Sequence, residues 1–273
     1  MIENQSGGTY QAVRIGDPSD WRLVCVISER GMEAYLRNME DPTAEVACLV
    51  KEEWNPGDGD LLQKIESTVY DHPQLLDDFT ADIALTAPRS LWVPRRILEE
   101  WDDLGDSYYT RIYESDPEDI MRDWDEDKVC LYTLTRGLPA FLQRTFPGAK
   151  IRNHQSVLVE RFGSRVSDLP RVFIDLREGE ADFVLLDGKQ LLQAVSHEWG
   201  TLEDAEYHFY NLLDVYGFDP KKLEVSLSGL RDEKRELMQR LRERVAYVMM
   251  TMVPAVASKA GMSLTASLLM RSK

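Results

Sequence analysis

Apolar and polar positions alternate in three short runs near the start of the chain. Residues 21–28 make an apolar strand, Arg30-Gly31 a turn, and residues 32–37 the return. This is the period-two pattern of a half-buried hairpin. A second turn at residues 39–43 leads to a third strand at 45–51, ending in Lys51-Glu52-Glu53-Trp54. The period then changes: Leu61, Leu62, Ile65, Val69, Leu75, Leu76 and Phe79 recur at helical intervals, with His72-Pro73 interrupting the run. Residues 82–87 read as a fourth strand, and residues 92–98 as a helix entered through Pro94.

The same order returns in the second half. Residues 172–176 and 181–186 are strands around Glu178-Gly179. Asp187-Gly188 is a hairpin signal, and a third strand at 190–196 ends in Ser196-His197-Glu198-Trp199. Thr201 with Asp204 predicts an N-cap for a helix over 202–216 that stops at Gly217. A fourth strand at 222–227 closes on Ser228-Gly229. Both halves thus read as three strands, a helix, a strand and a further helix, with third strands ending in Glu-Glu-Trp and His-Glu-Trp. The fold class predicted is α/β, two βββαβα lobes arising by internal duplication.

Between the copies lie a strand at 127–135, a short helix at 138–146, a strand at 149–153 and an apolar run at 156–161 that leads to a linker at 163–170. The domain organisation expected is a polar tail at 1–20, a first lobe at 21–162 with an acidic insert around 99–127, and a second lobe at 163–273. The second lobe is expected to end in an amphipathic helix over 232–252, facing Leu237, Leu241, Val245 and Val248 inward, and a tail.

Charge adds a location. The chain of 273 residues carries a formal charge of −16, and residues 1–128 hold 30 acids against 12 bases. Residues 99–127 alone contain 13 acids, with Arg111 and Arg122 as their bases. Such a segment is either a solvated face or a docking surface for a basic partner. Trp101, Asp102, Asp103, Trp124 and Asp125 are the candidate partner surface, its tryptophans either stapling the segment down or anchoring a partner. The basic last segment, nine bases against four acids over 229–273, is one candidate for what docks there. The negative balance argues against a nucleic-acid partner, because few surplus cations exist to release counterions.

Three cysteines without CxxC spacing fit a reducing, cytoplasmic setting. Cys25, Cys48 and Cys130 lie in apolar strand patterns and read as buried inert thiols. Residues 1–13 lack the pattern of a signal peptide. The apolar run at 245–258 is too short to span a bilayer, and Pro254 and Lys259 interrupt its extension to Met270. No integral span is expected, and weak membrane association of residues 245–270 is the lesser alternative. His72, His154, His197 and His208 show no zinc-site spacing, so no metal is expected. The phosphate-loop, dinucleotide and nucleophile-elbow motifs are all absent from the sequence.

The duplicated βββαβα pattern resembles the actin-like ATPase (ribonuclease H-like) architecture. More narrowly, the chain is similar to a bacterial family of unknown function, DUF3822, found chiefly in Bacteroidetes. Trp92-Val93-Pro94, the helix region at 138–147, His154 and the block at 171–229 carry the resemblance. It implies two lobes, each with a five-stranded mixed sheet, meeting at a cleft where active members of the superfamily bind ATP. In those members, glycine amides of two hairpins cradle phosphates and hairpin aspartates help place Mg²⁺. Here the first hairpin, Ser28-Glu29-Arg30-Gly31, lacks the Asp-x-Gly start. The second keeps Asp175, Glu178 and Gly179, and the adenosine element is reduced to Ser228 and Gly229. Those five residues are the ones that would hold a nucleotide if one binds. Asp175 reads equally as a hairpin residue and Gly229 as an ordinary strand-to-helix turn. The expectation is a protein-binding or scaffold module without cofactor or catalysis. The alternative is a divergent nucleotide or small-ligand binder.

Overall fold

A computed structural model describes residues 17–41, 44–57, 59–87 and 89–270, and the side chains of all of these except Asp102 and Asp103. Most of the polar N-terminal tail lies outside the described residues. In chain order the elements begin with β1 (Trp21–Ser28), β2 (Gly31–Asn38), β3 (Ala47–Glu53), α1 (Leu61–Asp71) and β4 (Thr80–Leu85). Next come β5 (Ser90–Pro94), α2 (Arg95–Glu100), α3 (Asp102–Tyr113), β6 (Ile120–Trp124), β7 (Lys128–Thr133), α4 (Leu138–Thr145), β8 (Lys150–Asn153) and α5 (His154–Gly163). The second repeat holds β9 (Arg171–Arg177), β10 (Glu180–Asp187), β11 (Gln190–Glu198), α6 (Leu202–Tyr216), β12 (Glu224–Gly229), α7 (Arg231–Leu241) and β13 (Tyr247–Met250). Two short helices, α8 (Ala255–Lys259) and α9 (Leu264–Leu269), end the described chain.

Two five-stranded sheets share one topology, β3-β2-β1-β4-β8 and β11-β10-β9-β12-β13. In each the first three strands are antiparallel and the last two join in parallel. That is the duplication read in the sequence, with the five strands per copy that the resemblance implies.

The chain divides into two compact units, and the division is interleaved. One unit comprises residues 1–87, 133–154 and 253–273; the other comprises 88–132 and 155–252. This differs from the consecutive lobes expected to join at residue 163. The acidic insert groups with the second repeat, and the C-terminal segment groups with the first. The physical reason lies in burial: α9 has no exposed side chain and packs on β1 and β4, and a six-residue helix is stable only where its apolar groups are covered.

In the first unit Leu23, Cys25 and Ile27 of β1 meet Ile65 and Val69 of α1 and Leu138, Phe141 and Leu142 of α4. Every second residue of the strand thus turns to the helices, as the pleat requires. In the second unit Val172, Ile174 and Leu176 meet Ala205, Phe209 and Leu213 of α6 with Leu237 and Leu241 of α7. The α6 start carries both bonds of a capping box, Thr201 with Asp204.

Three spans differ from the sequence expectation. Trp92, Val93 and Pro94 belong to β5, not to the helix, which starts at Arg95. The insert around 99–127 is part of a three-stranded sheet, β5-β7-β6, carrying α2 and α3 on a small core of Val93, Leu98, Tyr109, Val129 and Leu131. The amphipathic helix expected over 232–252 stops at Leu241, and residues 247–250 form β13 instead. Leu237, Leu241, Val245 and Val248 are all buried as expected, so the face was read correctly and the element was not. Parallel pairing with β12 overrides the helical spacing, as tertiary context commonly does for β-branched and aromatic runs.

Of the apolar residues at 245–270, residues 264–270 are buried inside the first unit, while Tyr247, Met249, Met250 and Met252, in and after β13, are exposed. Among the described residues no helix is long and apolar enough to cross a membrane.

Candidate functional site

Four polar side chains stand in one row across the second sheet. The register pairs Ser228 with Asp175, Asp175 with Asp182, and Asp182 with Ser196. Directly opposed residues share a face of the sheet, so β12, β9, β10 and β11 each give one polar group to the same line. Arg177 grips Asp182 through two bonds, Nε to Oδ2 at 2.8 Å and a terminal nitrogen to Oδ1 at 3.1 Å, and also meets Glu180 at 2.8 Å. The Ser196 hydroxyl donates to Asp182 Oδ1. Gln155, on α5, extends the network: its Nε2 donates to Ser196 Oγ at 2.8 Å, and its Oε1 accepts from Ser90 Oγ at 2.8 Å and Trp92 Nε1 at 3.0 Å.

Asp175 is the least compensated member. It is 3% exposed, its Oδ1 has no hydrogen-bond partner among the described residues, and Ser228 bonds its carboxyl. Burial, then the neighbouring Asp182 carboxylate, pushes its pKa up to about 7, with Arg177, Ser228 and Lys234 pulling the other way. Arg177 loses hydration to burial, yet Asp182 and Glu180 hold it above the usual guanidinium range.

The backbone around this row is closed by the chain itself. A Cβ on Gly229, whose φ is 99°, would lie 1.9 Å from the Leu176 carbonyl oxygen. The close approach that demands glycine is therefore to β9, and Leu230 N donates to that same oxygen at 2.8 Å. Glu178 is exposed at the β9–β10 turn. The carbonyl of Gly179 accepts from Trp199 N at 3.2 Å, and Arg177 O accepts from the Trp199 indole at 2.9 Å. The first unit repeats the clasp, with Trp54 N donating to Arg30 O in the β1–β2 turn at 2.7 Å. The Glu-Glu-Trp and His-Glu-Trp strand ends therefore share one bond, from the tryptophan backbone N–H to the preceding hairpin turn.

The equivalent row in the first unit is Ala84, Val26, Glu33 and Lys51. Val26 stands where the second unit has Asp175. Glu33 accepts from Tyr35 OH at 2.9 Å and Ser263 N at 3.2 Å, and Lys51 Nζ donates to Gly261 O at 2.9 Å. Here too the polar groups are taken up within the chain. Gly31 serves strand packing, since a Cβ there would lie 2.2 Å from Glu52 O.

A family of proteins of unknown function, DUF3822, matches the chain over residues 19–248. The chain belongs to the DUF3822 family. No curated protein matches this DUF3822 chain in sequence. Among solved structures it is similar to a Bacteroides thetaiotaomicron protein with an actin-like ATPase fold and unknown function, at a TM-score of 0.78 and 17% identity over 94% of this chain and 97% of that one. It is also similar to the PilM–PilN type IV pilus biogenesis complex, at a TM-score of 0.54 and 12% identity over 86% of this chain and 89% of that one. The DUF3822 chain has the actin-like ATPase fold.

The partner-surface residues occupy separate elements of the small sheet's neighbourhood. Trp101 precedes α3 and is 59% exposed; Trp124 ends β6, 52% exposed, with the Arg95 guanidinium 5.4 Å from its ring centre. Asp125 is half-buried and its N–H donates to Lys128 O at 2.9 Å. Asp102 and Asp103 begin α3, and their side chains lie outside the described residues. Arg122 pairs with Asp106 at 2.7 Å and Tyr132 OH donates to Asp123 at 3.0 Å, so part of the acidic run is tied to the body of its unit.

Of the nucleotide-type residues, Asp175, Ser228 and Gly229 come together at the ends of β9 and β12, and Gly179 sits in the adjoining turn. Asp182, Arg177, Ser196, Gln155 and Lys234 complete the cluster, and sequence reasoning passed over all five. A signal did exist for Asp182, a lone charge inside the apolar run 181–186, since an unpaired charge is almost never fully buried. Cys25 and Cys130 are buried, and burial pushes the Cys25 thiol up to about 12 and Cys130 well above its ordinary value. His197 and His208 stack face to face with centres 4.0 Å apart. Among the described residues no group of three or more His, Cys, Asp or Glu side chains is arranged to hold a metal ion.

Proposed function

We propose that this DUF3822 chain is a protein-binding module on an actin-like frame, without nucleotide turnover. The observation that carries the reading is Gly229. The glycine an adenosine-binding turn would use to approach a ligand instead lies against the Leu176 backbone, with 1.9 Å left for a Cβ. Three further features support it. Val26 replaces the aspartate of the first hairpin row. Trp199 covers the carbonyls of the second hairpin. Asp182 is committed to Arg177 and Ser196, so its oxygens are not free to ligate Mg²⁺. These residues do not fit a Mg²⁺–nucleotide site. The likeness to a pilus-biogenesis complex gives the protein-binding half a precedent on this fold, and the three free cysteines agree with a reducing, cytoplasmic setting.

The second reading, a divergent nucleotide or small-ligand binder, draws on the unpartnered Oδ1 of Asp175 and on Lys234 close enough to influence its charge. One experiment separates the two: thermal melting of the full chain with Mg²⁺-ATP, Mg²⁺-ADP and Mg²⁺-GTP. The expected result is no change. A ligand at about 100 times its Kd stabilises by roughly 2.7 kcal/mol, an upward shift of several degrees. Such a shift, removed by Asp175→Ala, would overturn the proposal and establish the second reading.

A further inference from the structure

The helix α3 is apolar on two faces, and only one of them is covered by the described residues. Gly105 and Tyr109 are buried and Tyr113 half-buried, packing α3 onto the small sheet. Tyr109 OH donates to Arg89 O at 2.8 Å and Tyr113 OH to Ser90 O at 3.0 Å, while Gly105 lies against Leu98. One residue earlier in each turn stand Leu104, Tyr108 and Ile112, 37%, 54% and 55% exposed, and the exposed Trp101 stands at the N-cap, just before the helix. A spacing of four keeps them on one ridge of the helix. A ridge of exposed large apolar groups on a helix already fixed from behind is an unusual use of surface, because such patches on soluble proteins mark interaction sites.

The charge around the ridge selects the occupant. Glu100, Glu114, Asp116, Glu118 and Asp119 are exposed at its two ends, Glu99 is paired with the exposed Arg95 at 2.7 Å, and the exposed Arg96 and Arg111 leave the balance acidic. A lipid surface with anionic headgroups and a nucleic acid are both repelled by that rim. A second acidic copy of this stretch is repelled too. An α-helical partner, apolar at i, i+4 and i+7 and flanked by Lys or Arg, satisfies both the ridge and the rim. From Leu104 to Ile112 the ridge runs about 12 Å at 1.5 Å per residue, the length of about two turns of such a partner, with Trp101 at the N-cap just before its start.

We infer that α3 is the docking ridge for a basic amphipathic helix of another protein, with Trp101, Leu104, Tyr108 and Ile112 as its apolar anchors. This rests on the protein-binding reading and names the partner class for it. The test uses the full chain with a photo-crosslinking benzoylphenylalanine at Tyr108, expressed in the organism that makes the protein, and the same group at the exposed Tyr207 of α6 as control. The expected adduct at position 108 is a segment with net positive charge and helical apolar spacing. It falls by about tenfold or more in a Leu104→Glu, Ile112→Glu chain whose melting temperature is unchanged. If that variant fails to fold, Leu104→Ala with Ile112→Ala takes its place. No adduct above the Tyr207 control, an acidic or extended adduct segment, an adduct to lipid or nucleic acid, or an adduct that survives both variants would overturn the inference. Its failure is distinct from failure of the nucleotide-free reading, which is decided by the melting experiment with Mg²⁺-nucleotides alone.

Discussion

At Asp175 a carboxyl is buried beside a second carboxyl, with Ser228, Arg177 and Lys234 as compensating groups. Its pKa, ordinarily 3.8 and here about 7, is raised on folding, which fixes the sign of the pH effect. Between those two values the folded chain holds a proton that the unfolded chain has released. Its contribution to stability is therefore complete below about pH 4 and is lost as the pH rises through about 7. Asp175→Asn is expected to remove that decline, so that melting temperature becomes flatter from pH 4 to 7 and exceeds the parent's at pH 8. A mutant that keeps the full decline would assign it to another group. Gly229 makes the opposite kind of residue-level prediction. Gly229→Ala forces a Cβ against the central strand β9 at positive φ, and we expect a loss of about 2 kcal/mol or more in urea unfolding. A neutral Gly229→Ala would mean that β9 and β12 can separate, and would weaken the structural role assigned to that glycine.

Among the elements, α6 shows how local chemistry and packing agree. Its start is closed by Thr201 and Asp204, each bonding the other's backbone N–H, and the Gly200 and Thr201 N–H groups donating to Asp204 Oδ2 hold that carboxyl below its usual range. Thr201→Ala is expected to cost about 1 kcal/mol, measured by chemical denaturation, while leaving the β11–α6 register intact. Where local signals and packing disagreed, reading from the sequence failed. Val245 and Val248 continue the helical spacing of Leu237 and Leu241, yet the chain turns at Arg242–Arg244 and joins the sheet. Trp92-Val93-Pro94 has too few residues to show a period, and Pro94 suits a helix start as well as a strand end. Neither choice was available from local spacing, because strand partners decided both.

For the whole molecule, the duplicated order of strands was legible because each copy repeats the same sequence of periods. The polar row was legible only in part. Asp175 and Ser228 lie near turn signals, but Gln155, Ser196 and Asp182 stand 20, 21 and 7 positions from Asp175, and convergence of that kind is set by register. The exposed ridge on α3 was hidden for another reason: Leu104, Tyr108 and Ile112 look like core residues until their neighbours Gly105 and Tyr109 are seen to hold the inward face. The interleaving of the two units also has a temporal side. The first unit's sheet waits for β8, and the cover that α9 lays on β1 and β4 arrives only with residues 264–269. A chain emerging from the ribosome therefore begins this unit first and finishes it last. Until then the face that α9 will cover stays open while everything between is made, so the unit's earliest strands wait longest for their full packing.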